Sequence, residues 1–410
     1  MGAATDSDRV VIVGAGQGGF QAAASLRQEG FKGRVTLVGD EPGLPYQRPP
    51  LSKAYMKDGD PKRLALRAEA FFAESGIERV EGRVVAIDRA AARVLLAGGE
   101  ALAYDRLILA TGARNAVPPV VGLSQAVESR AVVGLRTLAE AEFLRGRIAA
   151  VGRAVVIGGG FIGLEFAAVA RAAGLAVTVV EAADRLMARV VSPEIAGYFL
   201  DLHRSFGVEV RLGAAAAAVE PGVVTLAGGE RVAGDLILLA AGVRPNVELA
   251  AAAGIAVGNG VLVDGRLVSS DPAVSALGDV ALYPGPDGAR VRLESVQAAV
   301  DHARHIARRV ATGDGAHYRA VPWFWSDQGD RKLQIAGLRH PRHRTVVVPG
   351  PAERPVVLSL DGEILKAVET VNAPAPHMAA RRLLAAGRQV TLGEIEAAGF
   401  DLVALAKATA

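Results

Sequence analysis

The order of apolar and polar positions in residues 154–181 predicts a strand, a helix and a second strand. Residues 155–157 form a β-branched apolar run, which is typical of a buried strand. Apolar residues then recur at spacings of three and four, as on a helix packed against a sheet. A second apolar run, residues 177–180, predicts the second strand, and Glu181 follows it directly. The segment is therefore expected to form a βαβ unit.

Three glycines, Gly158, Gly160 and Gly163, stand between the first strand and the helix. In a βαβ unit this spacing permits a tight turn and close approach of the backbone to a pyrophosphate at the helix N-terminus. Glu181 is placed to accept hydrogen bonds from a ribose 2′-hydroxyl, and its charge would repel a 2′-phosphate. The unit predicts an NADH site, with NADPH disfavoured.

The same pattern occurs at the start of the chain. Residues 10–13 and 34–38 predict strands on either side of a helix, and an acid follows the second strand. The residues that complete this fingerprint are Gly14, Gly16, Gly19 and Asp40. One such glycine pattern is weak evidence, but two with strands, helix and acid predict that the chain binds two dinucleotides.

A pentapeptide repeat indicates that the two fingerprints belong to two copies of one module. Residues 96–100 and 226–230 are both Leu-Ala-Gly-Gly-Glu, and each is followed by a buried strand that ends in glycine. The first copy lacks a final strand, which residues 274–279 are expected to supply, so that Asp279 points at a cofactor. The alternative for Asp279 is an ordinary turn residue. The predicted domains are 1–114 with 243–320, then 115–242, and a small α+β domain at 321–410.

The composition excludes several types of reaction and binding site. Cysteine is absent, which excludes a disulfide, a thiolate nucleophile and a cysteine-ligated iron–sulfur cluster in this chain. The net charge of +3 is too small to indicate nucleic-acid binding. The histidines show no metal-ligand spacing, so no metal site is expected. No apolar run reaches the length of a membrane span, and a cytoplasmic protein is expected.

Three segments have two interpretations from sequence alone. The proline-rich residues 43–53 are either a surface loop or a rigid loop leading to a helix that holds Lys53 near a cofactor. Arg304 and Arg308 lie either on a solvated helix face or on a basic rim for an acidic partner. Trp325 belongs either to a core cluster or to a cover over a flat cofactor. His302 and His305 are expected on the solvated face.

Two dinucleotide sites without cysteine, a metal site or a Ser–His arrangement leave hydride transfer as the favoured reaction. If one cofactor is FAD, the protein can convert a two-electron donor into single electrons. Nothing in the chain supplies the acceptor, so the acceptor is expected to be another protein.

Several motifs resemble the ferredoxin reductases of the putidaredoxin reductase type. They are Gly-Leu-Pro-Tyr-Gln-Arg-Pro-Pro-Leu-Ser-Lys at 43–53, Val-Ile-Gly-Gly-Gly-Phe-Ile-Gly-Leu-Glu at 156–165, Leu-Gly-Asp at 277–279, Glu-Ser-Val at 294–296 and Pro-Trp-Phe-Trp-Ser-Asp-Gln at 322–328. The resemblance covers the chain to about residue 370. It implies two related Rossmann-like modules of the glutathione-reductase-like α/β fold, the second inserted in the first, with a C-terminal α+β domain.

The resemblance also implies roles for individual residues. Asp40 would hold the adenosine ribose of FAD, Val84 its adenine through the backbone, and Asp279 its ribityl chain. The complete set implied to contact FAD is Gly18, Asp40, Lys53, Val84, Arg136, Asp279 and Val296. Lys53 and Glu165 would pair near flavin N5, and Trp325 would lie at the isoalloxazine and nicotinamide. Arg304, with Arg308 beside it, would contact the ferredoxin.

The predicted function is therefore electron transfer from NADH through non-covalent FAD to an acidic [2Fe–2S] ferredoxin. That ferredoxin would serve a cytochrome P450 or an aromatic-ring dioxygenase. The alternatives are reduction of rubredoxin, or an NADH-sensing flavoprotein that acts through partner binding.

Overall fold

The computed structural model describes residues 4–285 and 288–408, so the outermost predicted domain bounds, Met1 and Ala410, lie outside the described residues. The chain forms two compact units. The first contains residues 1–48, 60–114 and 243–320, and the second contains 49–59, 115–242 and 321–410. The short strands Ala113–Asn115 and Val243–Pro245 lie where the chain passes from the first unit to the second and back.

The first unit is built on a parallel five-stranded sheet whose central strands are buried. In spatial order they are Val274–Ala276, Arg106–Leu109, Arg9–Val13, Arg34–Gly39 and Ile77–Glu81. The outer strand Val274–Ala276 pairs with Arg106–Leu109, with Val274 opposite Leu107. This pairing confirms that a downstream segment completes the first module.

The remaining elements of the first unit surround that sheet. The other strands are Val84–Asp88, Arg93–Leu96 and Ala101–Ala103 in a meander, and Val257–Gly258, Gly260–Leu262, Ala281–Pro284 and Arg290–Val291 in a second small sheet. The helices are Gln17–Gln28, Glu69–Glu74, Glu248–Ala252 and Val296–Thr312, with 3₁₀ turns at Pro61–Leu64 and Gly278–Val280. Helices Gln17–Gln28 and Val296–Thr312 pack against each other.

The second unit repeats this plan. Its parallel sheet has the spatial order Glu209–Arg211, Ala176–Val180, Arg153–Ile157, Leu236–Leu239 and Val132–Val133. Its meander consists of Ala216–Glu220, Val223–Leu226 and Arg231–Ala233. Both meanders carry a register shift in the first strand, at Val84/Ala86 and at Ala216/Ala218. The shared sheet order and the shared register shift confirm the prediction that the chain contains two copies of one module.

The helices of this part of the second unit are Leu123–Glu128, Leu138–Ile148, Phe161–Ala172 and Pro193–Ser205, preceded by the 3₁₀ turn Pro49–Ser52 and the helix Ala54–Asp58. The helices Leu138–Ile148 and Pro193–Ser205 begin at side-chain caps. Thr137 and Glu140 form a capping box, and the Ser192 hydroxyl accepts the N–H of Ile195.

The C-terminal part of the second unit is an antiparallel sheet covered by helices, as expected for a small α+β domain. Its strands, in spatial order, are Trp323–Gln328, Arg331–Gly337, Ile364–Val371, Val356–Asp361 and Arg344–Val347. Its helices are Pro374–Ala385, Leu392–Ala397 and Leu402–Ala408. Across residues 4–285 and 288–408, every helix is too short or too polar to cross a lipid bilayer.

Candidate functional site

The first and last glycines of the loop in the first unit have room for backbone but not for a side chain. Gly14 has φ +109°, and a Cβ atom there would lie 2.3 Å from the carbonyl oxygen of Ala110. A Cβ on Gly19 would lie 1.8 Å from the carbonyl oxygen of Gly14. A Cβ on Gly16, in contrast, would meet no described atom within 4 Å. The loop is therefore closed against the sheet and open at Gly16, where a phosphate could approach.

The N-terminus of the helix that follows this loop is suited to binding an anion. Gly16 is the N-cap of Gln17–Gln28; among the described residues no side chain caps it, and its first turn contains no acid. The first N–H groups of a helix lack intrahelical partners and carry the positive end of its dipole. These features fit the pyrophosphate of a dinucleotide such as FAD.

Further residues expected at FAD converge around Gly18. A Cβ on Gly18 would lie 2.4 Å from the side chain of Leu277 and 3.4 Å from that of Ala299. Gly18 thus allows the fingerprint helix to approach both the turn that carries Asp279 and the helix that begins at Val296. In this way the fold brings Gly18, Asp279 and Val296 together within the first unit.

His302 supports the same turn, and the expectation of a solvated histidine was wrong. The ring is fully buried, and its Nδ1 accepts a hydrogen bond of 3.2 Å from the backbone N–H of Gly278. It lies edge-on between Tyr283 and Tyr318. Burial lowers the pKa of His302 to about 3, which keeps Nδ1 free to accept. His305 is partly buried and also in ring contact with Tyr318.

Other predicted FAD residues of this unit lie at its rim. Asp40 follows the strand Arg34–Gly39 and is exposed, and Val84 begins its strand half-buried. The half-buried Arg48 pairs with Glu41 and hydrogen-bonds Tyr46 at 3.1 Å. Burial opposes the charge, but Tyr46, Glu41 and Asp279 together raise the pKa of Arg48. Sequence reasoning did not single out Arg48, although it lies in the proline-rich motif.

The glycine loop of the second unit has nearly the same geometry. Gly158 has φ +111°, and its Cβ would lie 2.4 Å from the carbonyl oxygen of Ala240. Gly160 faces open space, and a Cβ on Gly163 would lie 2.3 Å from the carbonyl oxygen of Gly158. This similarity supports the same ligand class, a dinucleotide, in both units.

Glu181 is held beside this loop by the backbone. Its Oε2 accepts the N–H of Gly159 at 2.7 Å, and its Oε1 accepts the N–H of Ala183 at 2.8 Å. Each carboxylate oxygen can accept a further hydrogen bond. The carboxylate is thus oriented at the loop, where the ribose of NADH is expected.

Lys53 and Glu165, distant in sequence, form an ion pair inside the second unit. Lys53 Nζ lies 3.0 Å from Glu165 Oε1. The Ser52 hydroxyl donates to Glu165 Oε2 at 2.6 Å, and the Ser326 hydroxyl donates to Oε1 at 2.7 Å. The Glu165 side chain is only 5% exposed, whereas that of Lys53 is 20% exposed. The structure confirms the predicted pairing of these two side chains.

The proline-rich segment explains why Lys53 can hold this position. The 3₁₀ turn Pro49–Ser52 ends with the Lys53 N–H donating to the carbonyl of Pro50 at 3.0 Å, and the helix Ala54–Asp58 begins directly afterwards. Fixed proline φ angles restrict the chain on the N-terminal side of Lys53. The structure therefore agrees with a constrained loop that leads into a helix, and the position of Lys53 near a cofactor stays a prediction.

The remaining predicted residues lie elsewhere on their units. Trp325 is half-buried and stacks on Trp323 with ring centroids 5.5 Å apart. Arg136 donates its backbone N–H to Glu140 at 2.8 Å, just before a helix of the second unit. Arg304 and Arg308 are exposed on the helix Val296–Thr312. Among residues 4–285 and 288–408, no cluster of acids and histidines could hold a metal ion.

Comparison with known proteins covers nearly the whole chain. Residues 8–303 match the model of the pyridine nucleotide-disulphide oxidoreductases, and residues 323–406 match the reductase C-terminal model. Because cysteine is absent, the chain shares that family's fold but cannot carry a redox disulfide.

Two curated relatives are similar from end to end. The rhodocoxin reductase of Rhodococcus erythropolis is 49% identical, over 96% of this chain and 93% of its own length. The putidaredoxin reductase of Pseudomonas putida is 38% identical, over 98% of both chains. A crystal structure of a ferredoxin reductase from Rhodopseudomonas palustris superposes with a TM-score of 0.93 at 46% identity, covering 98% of this chain and 100% of the other. The chain therefore belongs to the ferredoxin reductases of the putidaredoxin reductase type, within the pyridine nucleotide-disulphide oxidoreductase family.

Proposed function

We propose that the chain is an FAD-dependent NADH:[2Fe–2S] ferredoxin reductase. Its ferredoxin passes electrons one at a time to a cytochrome P450 or an aromatic-ring dioxygenase. The observation that carries the proposal is the presence of two complete nucleotide-binding modules in a chain without cysteine. Relatives include the reductase components of the p-cumate and anthranilate dioxygenase systems, each named as a ferredoxin–NAD(+) reductase.

In this proposal the two glycine loops bind different dinucleotides. The loop at Gly14–Gly19 and the turn at Asp279 hold FAD, and the loop at Gly158–Gly163 with Glu181 holds NADH. FAD supplies the chemistry when bound, because its flavin accepts a hydride and releases the electrons singly. The protein contributes orientation, and the enzyme needs no nucleophile or metal of its own for this reaction.

The Lys53–Glu165 pair tunes the charge around the flavin and does not transfer protons. Two hydroxyl groups and the Lys53 ammonium already occupy the Glu165 carboxylate, which leaves it poorly suited to act as a base. An ion pair held in a region of low dielectric constant acts strongly on nearby charge. Trp325 shields the flavin in this proposal or faces the partner protein.

The basic side chains of the helix Val296–Thr312 supply the partner surface. Arg304 and Arg308 are 62% and 65% exposed. Arg304 lies 3.8 Å from Asp301 and Arg308 lies 3.3 Å from Asp314, so these acids screen the arginines in part. An acidic ferredoxin would compete with those acids, which predicts association that weakens steeply with salt.

The domains 1–114 with 243–320, 115–242 and 321–410 are part of this proposal, as the FAD-binding, NADH-binding and C-terminal domains. The division of the chain at 114 and 242 supports the boundary between the first two, although residues 49–59 group with the second unit. A cytoplasmic location completes the proposal, since both NADH and a reduced ferredoxin are supplied there.

A steady-state assay tests the function. Purified protein reconstituted with FAD is mixed with NADH and cytochrome c, with and without an added [2Fe–2S] ferredoxin. Rapid cytochrome c reduction that requires the ferredoxin is expected. The same dependence on rubredoxin instead would favour a rubredoxin reductase. Slow turnover together with NADH-dependent dimerisation would overturn the reductase and favour a sensor protein.

A further inference from the structure

A line of buried polar side chains continues from Glu165 into the interior of the second unit. Beyond Ser326 it passes to Gln328, whose Nε2 lies 3.2 Å from Ser326 Oγ, and then to His203, whose Nε2 lies 2.9 Å from Gln328 Oε1. Ser326, Gln328 and His203 are all fully buried. Neither the fingerprint motif nor the ion pair with Lys53 requires them.

The hydrogen bonds of this line have one direction. Glu165 accepts from the Ser326 hydroxyl, so that hydroxyl must itself accept from the Gln328 amide N–H. The amide oxygen of Gln328 is then left to accept from His203 Nε2–H. A flipped Gln328 amide would take the hydroxyl hydrogen away from Glu165 and place the amide oxygen, instead of an N–H, against the Met187 sulfur. All donors therefore point toward the Glu165 carboxylate.

The line ends inside the protein. Among the described residues, His203 Nδ1 is buried and has no hydrogen-bond partner. Burial lowers the pKa of His203, so the ring is neutral and carries one N–H. A relay to solvent would need a second exchangeable partner at Nδ1. The line is thus suited to orienting Glu165 rather than to moving a proton.

The surroundings make these polar side chains costly. The neighbouring core includes Leu164, Leu186, Met187, Phe199 and Leu333, with Phe324 packed against it. The second N–H of Gln328 points at the Met187 sulfur, 3.6 Å away. Burying polar groups among apolar ones costs free energy that apolar residues of the same size would avoid. A packing role alone does not explain why the strand places Ser326 and Gln328 on its inward face.

We propose that His203, Gln328 and Ser326 are positioning residues that hold the Glu165 carboxylate in the orientation in which it pairs with Lys53. Aligned hydrogen bonds polarise one another, so each link strengthens the next. The line connects the nucleotide-binding part of the second unit, through Glu165 and His203, with the first strand of the C-terminal sheet. This inference rests on the proposed function for the role of the Lys53–Glu165 pair, but its geometry stands without it.

Chemical labelling of Lys53 tests the proposal in the FAD-loaded, full-length protein. Acetic anhydride acylates lysines, and mass spectrometry follows the rate at Lys53. An amine released from its carboxylate reacts faster because its motion is less restricted. Gln328→Met and His203→Phe each break a neutral hydrogen bond of the line and are expected to raise the labelling rate of Lys53 about fivefold, the factor that roughly 1 kcal/mol for one such bond allows.

Matched variants separate positioning from packing. His203→Gln keeps an N–H donor and is expected to label like the unmodified protein. His377→Phe removes another buried histidine, one whose two ring nitrogens lack partners among the described residues, and should leave Lys53 unaffected. In a Glu165→Gln background, Gln328→Met is expected to have no further effect. If His203→Phe does not fold, Gln328→Met, alone and in the Glu165→Gln background, still tests the positioning role.

Unchanged labelling in Gln328→Met, or equal labelling in His203→Phe and His377→Phe, would overturn the proposal. The measurement uses neither NADH nor ferredoxin. A protein that fails the reductase assay but shows the expected labelling would contradict the proposed function alone. A working reductase with unchanged labelling would contradict the positioning role alone.

Discussion

The two fingerprint helices differ in the contacts made at one equivalent position, which is Gln21 in the first unit and Glu165 in the second. Gln21 is half-buried and donates to the Ser25 hydroxyl at 2.8 Å, one turn along its own helix. Glu165 is buried and bonds to Lys53, Ser52 and Ser326, which come from two other segments of the chain. The equivalent position therefore makes a local contact in the first unit and contacts to distant segments of the chain in the second.

What the two units share lies close to the glycine loops. The φ angles of Gly14 and Gly158 are +109° and +111°, and the carbonyls that exclude a Cβ stand 2.3 and 2.4 Å away. The outermost strand differs in origin, because Val274–Ala276 follows the rest of its sheet in sequence and Val132–Val133 precedes it. The loop geometry thus tolerates a change of connectivity at the far edge of the sheet.

The largest expected effect comes from exchanging the first glycine of each loop for alanine. A non-glycine residue at such a φ costs about 1–3 kcal/mol, and here the Cβ also meets a carbonyl oxygen. Gly14→Ala should purify with little FAD. Gly158→Ala should retain FAD but bind NADH more than roughly 100-fold more weakly, because the upper end of that range, ~3 kcal/mol, applies where the Cβ also meets a carbonyl oxygen. Flavin absorbance and NADH titration measure the two effects.

Equivalent glycines of the pentapeptide repeat provide the control for this pair. Gly98 and Gly228 have ordinary φ angles, and a Cβ at either would meet no described atom within 4 Å. Alanine at these positions should leave both nucleotides bound. If Gly14→Ala impaired NADH binding and Gly158→Ala impaired FAD binding instead, the assignment of the two units would be reversed.

The second prediction concerns the acids that follow the second strands. Glu181→Arg should shift the ratio of kcat/KM for NADH over NADPH by about 100-fold, or ~2.7 kcal/mol, because a carboxylate is replaced by a cation that can bind the 2′-phosphate. Efficiency with NADH should also fall, since the Gly159 and Ala183 N–H groups lose their acceptor. The counterpart Asp40→Ala should weaken FAD binding without changing this ratio. Comparable efficiency of the unmodified protein with NADH and NADPH would contradict the role of Glu181.

The third prediction addresses the position at which the helices differ. Glu165→Ala should change the rate of flavin reduction by NADH about tenfold, which corresponds to ~1.4 kcal/mol in the barrier, because Lys53 loses its partner. Gln21→Ala removes only a local hydrogen bond and should leave that rate within a factor of two or so. Rapid-mixing absorbance measures both variants. Unchanged spectra with Glu165→Ala would count against the tuning role of the pair.

The fourth prediction concerns stability instead of activity and is a difference in how the two units respond to pH. Burial lowers the pKa of His302 in the first unit to about 3. Its contribution to the free energy of unfolding is therefore present above pH 6.5 and is lost as the pH falls toward 3. Burial raises the pKa of Glu369 in the second unit to about 7, so its contribution is present below pH 4.5 and is lost as the pH rises through 7. Each group changes the slope of unfolding free energy by at most about 1.4 kcal/mol per pH unit.

Urea unfolding between pH 4 and pH 8 checks these slopes. His302→Gln should reduce the slope of the free energy of unfolding against pH in the acid range. Glu369→Gln should reduce that slope near neutral pH. The exposed His317 and Glu353 are suitable controls, because their replacement by glutamine should change neither slope. Equal slopes in the buried and exposed variants would show that the two buried groups do not govern the pH response.

Most of the fold could be predicted because it depends on local patterns. These patterns are local in sequence: the β-branched runs at 155–157 and 177–180, the glycine spacing and the repeated pentapeptide. Even the strand Val274–Ala276 was predictable, because the first copy of the module was visibly incomplete without it. The environment of His302 was not predictable, since an arginine-rich helix can still turn one polar ring toward the core.

By itself, the sequence determined that two dinucleotide modules are present, that the second is inserted in the first, and that no cysteine takes part in the chemistry. Only the tertiary structure decided which side chains surround Glu165. Ser52, Ser326, Gln328 and His203 come from three segments that lie far apart in sequence. Their polar character has no periodicity of its own, so no local pattern could indicate it. Packing brings them together because a buried carboxylate must find its hydrogen-bond donors wherever the fold supplies them.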